Sequence, residues 1–292
     1  MLEGVIVKGI GGFYYVKTEE GVLECRARGL FREENLVPLV GDKVRIQISK
    51  EDNTGYIKEI KPRESQLLRP PVANITQVII VMSIKNPNIN LWLLDRFLVM
   101  AEFEGLDVHI CLNKVDLEEE KRIMEINNIY SDVGYDIINT SIIDNSGIGE
   151  LRDKLKDNIT VFAGPSGVGK SSLLNEIYPG LDLKTGDISK KTTRGKHTTR
   201  HVELIDLDYN SYVLDSPGFS SLDLDFIERE EDLGDYFIEM AKHKGKCKFI
   251  SCVHFKEPDC EIKRQLEKGN IASSRYDNYI NFLEEIKNIR RY

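Results

Sequence analysis

The chain contains 292 residues, of which 41% are hydrophobic and 30% are charged, a composition typical of a soluble globular protein that excludes wholesale disorder. The 40 Lys and Arg residues against 48 Asp and Glu residues give a formal net charge of −8, which excludes a uniformly basic protein that coats nucleic acid. No apolar run approaches the ~20 residues of a transmembrane helix, and the first residues show no signal-peptide pattern. We therefore expect a cytoplasmic protein with no membrane partner. The five cysteines, an odd number, favour free thiols over a disulfide framework.

Residues 1–70 contain short strand-like runs separated by glycine-containing turns. The runs are Val5–Val7, Phe13–Val16, Val22–Cys25 and Val44–Ile48. Several short strands at this spacing are typical of a small barrel, and the length of the region fits an OB-fold. A generic β-sandwich and an SH3-like barrel are the alternatives that the pattern leaves open.

After residue 70 the pattern changes to an alternation of apolar strands and amphipathic helices. The strand-like runs are Gln77–Met82, Val108–Leu112, Asp136–Thr140 and Ile159–Ala163, and helical periodicity is found in Leu91–Glu104, Glu118–Tyr130 and Gly149–Lys156. Continuous apolar runs are typical of strands in a mainly parallel sheet, and the alternation indicates an α/β domain over residues 71–222. Ligands of such sheets bind beyond the carboxyl ends of the strands.

A glycine-rich segment directly follows the strand that ends at Ala163 and matches the phosphate-binding pattern G-x-x-x-x-G-K-[ST]. Its residues are Gly164, Pro165, Ser166, Gly167, Val168, Gly169, Lys170, Ser171 and Ser172. Glycines allow backbone N–H groups to surround phosphates, and the start of the following helix adds partial positive charge. We expect Lys170 to act catalytically on the β- and γ-phosphates and the Ser171 hydroxyl to bind Mg²⁺.

A second motif, Asn113-Lys114-Val115-Asp116, follows the strand Val108–Leu112 and predicts a guanine site. The Asp116 carboxylate can accept hydrogen bonds from N1–H and the exocyclic amine of guanine, whereas adenine presents an acceptor at N1. We expect Asn113 to bond the base edge and the Lys114 stem to cover the base. Ser141, after the next strand, is expected to back the base through the backbone. The alternative is an ordinary polar loop, since these residues are common at strand ends.

Two later segments carry the pattern of nucleotide-dependent switches. Asp215-Ser216-Pro217-Gly218 follows an apolar run, so we expect Asp215 to hold Mg²⁺ through water and the Gly218 N–H to contact the γ-phosphate. The polar segment 184–200 lacks apolar periodicity and is predicted to be a mobile loop. Thr199 is the preferred Mg²⁺ ligand there, with Thr198 as the alternative.

The residue after this Asp-x-x-Gly motif is Phe219, which cannot orient a water molecule by hydrogen bonding. Another group must do so if the site hydrolyses nucleotide, and His197 in the predicted mobile loop is the candidate catalytic residue. The alternative is that His197 is a solvated loop residue or a contact to RNA.

The C-terminal region, residues 223–292, carries four closely spaced soft or borderline ligands: Cys247, Cys252, His254 and Cys260. Three thiolates and one imidazole suit a closed tetrahedral site for one structural zinc ion. A redox role is less suited to the pattern because no C-x-x-C is present. The remaining alternative is four unrelated residues.

The order of these motifs is unusual, because the base motif at 113–116 precedes the phosphate loop at 164–171, as in a circularly permuted GTPase. A barrel, a permuted GTPase domain and a Cys/His segment in this order closely resemble the RsgA (YjeQ/YloQ) family of bacterial GTPases that depend on the small ribosomal subunit. The resemblance implies GTP and GDP as ligands, an OB-fold that contacts ribosomal RNA, and one bound zinc. It also implies hydrolysis that the 30S subunit stimulates during late 30S maturation, with 16S rRNA as a partner. We expect a monomer.

Two other functions remain open from the residues alone. An ATP-dependent enzyme would use the same phosphate loop, although Asp116 argues against adenine. An RNA-binding scaffold with a static nucleotide site would bind nucleotide without turnover, although Lys170, Ser171 and Asp215 together favour catalytic competence.

Overall fold

The computed structural model describes most of the chain. The described residues are 1–27, 31, 36–49, 54–68, 71–181, 183, 202–207, 210–215 and 223–289. The predicted mobile loop with His197, Thr198 and Thr199 lies outside these residues, and so does Gly218. Within the described ranges, no helix combines the length and the apolar character that crossing a membrane requires.

The N-terminal region forms a closed barrel of five strands, which confirms the predicted OB-like architecture. Its strands are β1 (Leu2–Ile10), β2 (Phe13–Thr18), β3 (Gly21–Ala27), β4 (Lys43–Ile48) and β5 (Gly55–Ile60), in the order β1-β2-β3-β5-β4, with β4 returning to β1. Val44 and Ile46 on β4 are fully buried between exposed neighbours, as expected of a strand with one face on the core. The strand β5 was not among the sequence predictions.

Two short strands, β6 (Gln66–Leu68) and β7 (Pro71–Ala73), form an antiparallel pair after the barrel. The α/β region follows with β8 (Gln77–Ser83), α1 (Leu91–Phe103), β9 (Asp107–Asn113), α2 (Glu120–Ser131), β10 (Asp136–Thr140), α3 (Ile148–Leu155), β11 (Ile159–Ala163), α4 (Lys170–Ile177), β12 (Leu204–Asp206) and β13 (Tyr212–Asp215). The alternation of strands and helices agrees with the sequence prediction.

Six of these strands form one sheet in the order β10-β9-β8-β11-β13-β12. The pairs β10–β9 and β11–β13 are parallel, and only the edge strand β12 runs antiparallel to its partner among the pairings described. Every residue of β8 and β11 is buried, which explains why these strands appear as largely apolar runs in the sequence.

The C-terminal region contains a 3-10 segment at Glu230–Tyr236 followed by α5 (Ile238–Ala241), α6 (Glu261–Glu267) and α7 (Ser273–Ile289). Its core includes Phe237, Tyr279, Phe282 and Leu283, each fully buried. The sequence also predicts two amphipathic helices after Cys260, at Ile262–Leu266 and Tyr276–Ile289, and both are present as α6 and α7.

The chain divides into two compact units: Met1–Val78 with Gly149–Ala163 and Ser171–Ser220, and Ile79–Ile148 with Gly164–Lys170 and Ser221–Tyr292. The first, called the barrel unit below, contains the barrel, β11, β12 and β13. The second, called the C-terminal unit, contains the base motif, most of the phosphate loop and the C-terminal helices. The predicted domain boundaries at residues 70 and 222 stay a prediction.

Candidate functional site

The phosphate loop begins where β11 ends, and its first glycine is required by a close approach of two backbones. Gly164 adopts φ +134°, and a Cβ atom there would lie 2.1 Å from the carbonyl oxygen of Val81 on β8. Any other residue would force β8 and the loop apart. The loop then leads directly into α4, so the chain has the strand, turn and helix that the sequence motif needs to bind phosphate.

Lys170 begins α4 and is almost completely buried. Its Nζ atom donates hydrogen bonds to the carbonyl oxygens of Gly164, at 2.6 Å, and Pro165, at 2.9 Å. The loop therefore surrounds the ammonium group that the sequence assigned to the phosphates. The next residues, Ser171 and Ser172, lie in the first turn of the helix and are buried and half-buried.

The base motif interlocks with the phosphate loop through Asn113, which ends β9 and is 2% exposed. Its Nδ2 atom donates to the carbonyl oxygen of Val168 at 2.8 Å. Gly169, at φ +101°, makes room for this contact, because a Cβ atom there would lie 2.5 Å from the same Nδ2 atom. The two motifs, more than 50 residues apart in the sequence, are thus brought into direct contact.

The side-chain amide of Asn113 is oriented by Thr140 at the end of β10. The Thr140 hydroxyl donates to Asn113 Oδ1 at 3.0 Å, and the Thr140 Oγ1 atom lies 3.3 Å from Cys111 Sγ. Because Thr140 is fully buried, this hydrogen bond is protected from water and directs Asn113 Nδ2 towards the phosphate loop. Thr140 is a positioning residue that the sequence analysis did not assign.

Lys114 adopts a left-handed backbone conformation, with φ 62°, and its Nζ atom reaches the phosphate loop. It donates to the carbonyl oxygen of Gly167 at 2.8 Å and to that of Asn86 in the loop after β8. Burial lowers the pKa of Lys114, and the charge of Asp116 opposes that shift. Val115 and the exposed Asp116 follow in the 3-10 turn Val115–Leu117, so Asp116 presents an accessible carboxylate beside the lysine stem.

The loop after β8 was also missed by the sequence analysis. Its Asn86 carbonyl holds Lys114, and Ser83 Oγ donates to the carbonyl oxygen of Pro87 at 2.7 Å, which closes the turn. The signal that could have found it was the turn-forming run Lys85-Asn86-Pro87-Asn88 directly after a buried strand, at the edge of the sheet where ligands bind.

Ser141 lies in a closed turn after β10 and is fully buried. Its backbone N–H donates to the carbonyl oxygen of Ser146 at 3.1 Å, and its Oγ atom accepts from the Ile143 N–H at 3.1 Å. The predicted contact of Ser141 with the base stays a prediction.

Two of the residues expected to hold Mg²⁺, Ser171 and Asp215, belong to the described part of the barrel unit. Asp215 ends β13, where its backbone is registered against Phe162 of the parallel strand β11. Ser171 lies at the start of α4, the helix that follows β11 and the phosphate loop. A hydroxyl and a carboxylate are hard oxygen ligands of the kind that Mg²⁺ prefers, so these two residues fit the ion.

In the C-terminal unit, the structure brings together all four predicted zinc ligands. One ligand atom from each of Cys247, Cys252, His254 and Cys260 lies within 4.8 Å of the others. The Sγ atoms of Cys247 and Cys260 are 3.9 Å apart, and they lie 3.5 and 3.4 Å from His254 Nδ1. Tetrahedral zinc with bonds of about 2.3 Å to sulfur and about 2.1 Å to nitrogen requires separations of about 3.8 and 3.6 Å. The cluster therefore fits a four-coordinate zinc ion.

The surroundings of this cluster orient its ligands. The Glu261 N–H donates to Cys247 Sγ at 3.3 Å, and Tyr276 Oη donates to the carbonyl oxygen of His254 at 2.7 Å. Burial raises the pKa of Cys252 and lowers the pKa of His254. Burial thus disfavours the charged form of both groups, so a cation would stabilise a Cys252 thiolate, and the neutral imidazole that metal ligation needs is favoured at His254.

These features define a class of protein: a P-loop nucleotide-binding protein with a guanine-type base motif, a circularly permuted motif order, an N-terminal OB-like barrel and a C-terminal Cys₃His metal site. Comparisons with known proteins make the class specific. The family described as RsgA GTPase matches residues 60–225, and the RsgA N-terminal domain matches residues 3–57. The chain therefore belongs to the RsgA GTPase family, and it is a GTP hydrolase.

The similarity extends over the whole chain. The small ribosomal subunit biogenesis GTPase RsgA of Alkaliphilus metalliredigens is 50% identical over 293 residues, and the match covers 100% of both chains. Among solved structures, YjeQ from Thermotoga maritima is 39% identical with a TM-score of 0.83, covering 97% of this chain and 98% of that one. YloQ, described as a circularly permuted GTPase, is 40% identical with a TM-score of 0.80, covering 99% and 96%.

Proposed function

We propose that this protein binds GTP with Mg²⁺ and hydrolyses it to GDP and phosphate while bound to the 30S ribosomal subunit, late in maturation of that subunit. The subunit stimulates hydrolysis in this proposal, and 16S rRNA contacts the barrel. The observation that carries the nucleotide half is the interlock of Asn113 with the phosphate loop. The ribosomal half rests on the family and on relatives named as small ribosomal subunit biogenesis GTPases.

Guanine selection is assigned to the base motif. Asp116 accepts from N1–H and the exocyclic amine of the base, while Asn113, held by Thr140, bonds the base edge. Lys114 covers the base with its stem, because its ammonium group is tied to Gly167. This arrangement disfavours ATP, since adenine would place an acceptor opposite the Asp116 carboxylate.

Phosphate binding is assigned to residues 164–172, with Lys170 exchanging its loop carbonyls for the β- and γ-phosphates. Ser171, Asp215 and Thr199 would hold Mg²⁺, which when bound neutralises charge between the β- and γ-phosphates. The Gly218 N–H is assigned to the γ-phosphate, and His197 to orienting the attacking water. Replacing His197 with Ala should then reduce turnover and leave nucleotide affinity unchanged.

The C-terminal cluster is proposed to hold one structural zinc ion through Cys247, Cys252, His254 and Cys260. The tight distances and the absence of an open ligand position among these four favour a structural role over a catalytic one. We further propose that the protein is a cytoplasmic monomer.

The first experiment is GTP turnover with and without purified 30S subunits, with ATP as a parallel substrate. We expect 30S subunits to raise kcat for GTP by at least tenfold, which corresponds to lowering the activation free energy by about 1.4 kcal/mol. We expect ATP to be a poor substrate with and without subunits. Equal GTP turnover with and without subunits would leave a GTPase whose partner must be sought elsewhere. Efficient ATP turnover would remove the assignment of Asp116.

The zinc assignment is tested by metal analysis of Cys252→Ser. This variant should lose the ion or bind it far more weakly, because one of four ligands is replaced by a poor donor. Cys25→Ser is the matched control, since Cys25 is a buried cysteine of the barrel core. Full zinc occupancy in Cys252→Ser would overturn the site.

A further inference from the structure

The strand β12 is an edge strand of the six-stranded sheet, and it contacts the barrel. Lys8 of β1 and Glu203, just before β12, form an antiparallel backbone bridge, and Lys8 Nζ lies 3.0 Å from Glu203 Oε2. On the neighbouring barrel strand β2, Lys17 Nζ lies 2.5 Å from Asp206 Oδ2 at the other end of β12. The barrel therefore meets both ends of β12 with one lysine each.

These contacts are partly exposed to solvent, and a wide cleft lies beside the pair of Lys17 and Asp206. The side chains of Lys8 and Glu203 are 30% and 48% exposed, and those of Lys17 and Asp206 are 35% and 27% exposed. A cleft of about 620 Å³ separates β1, β2 and β4 of the barrel from the first residues of β11 and β13, and Lys17 and Asp206 line it. Among the described residues, the contact of the barrel with this strand thus includes partly exposed polar groups next to open space.

β12 is paired with β13, the strand that ends at Asp215, the residue assigned to Mg²⁺. It pairs with β13 in the register Leu204 with Leu214, Ile205 with Val213 and Asp206 with Tyr212. Asp215 is the next residue of β13, so the end of β12 that Glu203 occupies lies beside the Asp215 end of the ladder. A shift of β12 along or away from its partner moves the backbone that carries Asp215.

From this geometry we infer that Glu203 and Asp206 are positioning residues, through which the barrel sets the placement of the β12–β13 ladder and thereby the rate of GTP hydrolysis. The inference rests on the proposed role of Asp215. The barrel then has a second role, because a partner that moves the barrel strands alters the hydrolytic site through Lys8 and Lys17. Exposed ion pairs suit such a link, because breaking them changes an equilibrium by only about fivefold or less and the link is therefore reversible.

The test is a charge swap across the barrel contact, with Lys8→Glu, Glu203→Lys and the double variant. Each single variant places like charges together, so we expect kcat without subunits to fall about three- to fivefold while KM for GTP is unchanged. The same variants should accelerate amide hydrogen exchange in residues 203–206. The double variant restores opposite charges and should bring both quantities to within about twofold of the original protein.

The matched control is Lys156→Glu. Lys156 belongs to the barrel unit and forms an ion pair with Asp153, which lies three residues earlier in the chain. This variant should change neither kcat nor the exchange of residues 203–206. Unchanged kcat in both single variants, or a double variant no better than the worse single one, would overturn the inference.

A second arm repeats the swap series with saturating 30S subunits and separates the two proposals. If 30S subunits fail to stimulate the original protein, the proposed ribosomal function is wrong, while the assays without subunits still decide the role of Glu203. If the original protein is stimulated, the single variants should show a smaller stimulation than the original protein, and the double variant should recover it.

Discussion

The two units hold their parts together with opposite kinds of electrostatic contact. In the barrel unit, the lysines that join the barrel to β12 and their acidic partners are 27–48% exposed. In the C-terminal unit, α7 is joined to α1 and α5 by Arg275, which is 1% exposed, and by Asp95 and Glu239, at 0% and 5%. The difference indicates which contact can yield in solution and which one cannot.

In the buried network of the C-terminal unit, each charged side chain has hydrogen-bond partners. Arg275 donates to both carboxylate oxygens of Glu239 at 2.8 Å and to Asp95 Oδ1 at 2.7 Å. Asp95 also accepts from Tyr130 Oη at 3.0 Å and from Asn278 Nδ2 at 2.6 Å. Removing one member leaves a buried charge without compensation, which is far more costly than breaking an exposed pair. The C-terminal helices should therefore move with α1 as one body.

The largest effect is expected from Arg275→Met, which leaves Asp95 and Glu239 buried without their cation. The free energy of unfolding of the C-terminal unit should fall by about 3–5 kcal/mol. Urea unfolding followed by the fluorescence of Trp92 measures this directly, because Trp92 is the single tryptophan and packs against Phe282 at 5.5 Å.

The control for this variant is Arg122→Met, which removes an arginine that is 52% exposed and paired with Glu125 on the surface of α2. Its cost should stay below about 1 kcal/mol. A loss of less than about 1 kcal/mol in Arg275→Met as well would contradict the contrast between the two units.

The stability of Arg275→Met should also depend on pH in a characteristic way. Burial raises the pKa of Asp95, and the charge of Arg275 opposes that rise. Without Arg275, the native state therefore holds a proton on Asp95 at a higher pH than the unfolded chain does. Stability then increases as the pH falls, so the deficit of Arg275→Met should be smaller at about pH 5.5 than at about pH 8.

A smaller loss is expected from Glu285→Gln. Arg96 is 4% exposed and donates two hydrogen bonds to Glu285, at 2.6 and 2.5 Å, whereas Glu285 itself is 32% exposed. Gln keeps one acceptor but removes the charge, so a loss of about 1.5–3 kcal/mol follows. The neighbouring Glu284→Gln is the control, because Glu284 is exposed, and equal effects of the two changes would argue against a role for burial.

Thr140→Val measures how much a buried hydrogen bond between uncharged groups, from Thr140 to Asn113, contributes to nucleotide binding. Valine keeps the shape but loses the hydrogen bond to Asn113 Oδ1. We expect GDP affinity to fall about fivefold, which corresponds to ~1 kcal/mol, with a smaller preference for GDP over ADP.

Thr160→Val is the matched change for Thr140→Val, because Thr160 is equally buried on β11 and accepts a hydrogen bond from Gln77 Nε2 at 2.8 Å. It should affect stability without altering the choice between GDP and ADP. If both variants lose selectivity equally, Thr140 has no special role in the base site.

The smallest effect is expected at the barrel contact itself. A double-mutant cycle of Lys17→Ala and Asp206→Ala should give a coupling free energy below about 1 kcal/mol, measured from hydrogen exchange of β12 amides. Because both side chains of the pair are partly exposed to solvent, raising the salt concentration to about 1 M should abolish this coupling. The cost of Arg275→Met should change little under the same conditions, and a salt-insensitive Lys17–Asp206 coupling would break the comparison.

Much of the fold was predictable because its signals are local. Apolar runs, helical periodicity and glycine turns each occupy a short window, and they predicted the barrel, the α/β region and the two last helices. The strand β5 escaped because its first buried position is Gly55, which lowers strand propensity, and Ile57 is the one large apolar residue that it buries. That glycine is needed where it lies, since a Cβ atom there would be 2.4 Å from Cys25 Sγ.

In the candidate site, too, the sequence predicted the residues with local signals and missed those without them. The phosphate loop, the base motif and the Cys₃His set were visible because each chemistry needs particular residues at a fixed spacing. The partners that orient them were not visible, because Thr140 lies 27 residues from Asn113 and the Asn86 carbonyl lies 28 residues from Lys114. No spacing rule connects such residues until the strands are placed side by side.

The sequence by itself predicted the class of ligand, since guanine, phosphate and zinc are each recognised by functional groups that lie together in a short motif. Only the tertiary structure decided how the parts are joined: Arg275 meets Asp95 from 180 residues away, and Lys8 meets Glu203 from 195 residues away. The strength of those contacts depends on their exposure to water, because the same pair of charges is costly to break when buried and readily exchanged when exposed. Exposure is a property of the folded chain. It distinguishes the buried, strong contacts of Arg275 in the C-terminal unit from the partly exposed, weak contacts between the barrel and β12.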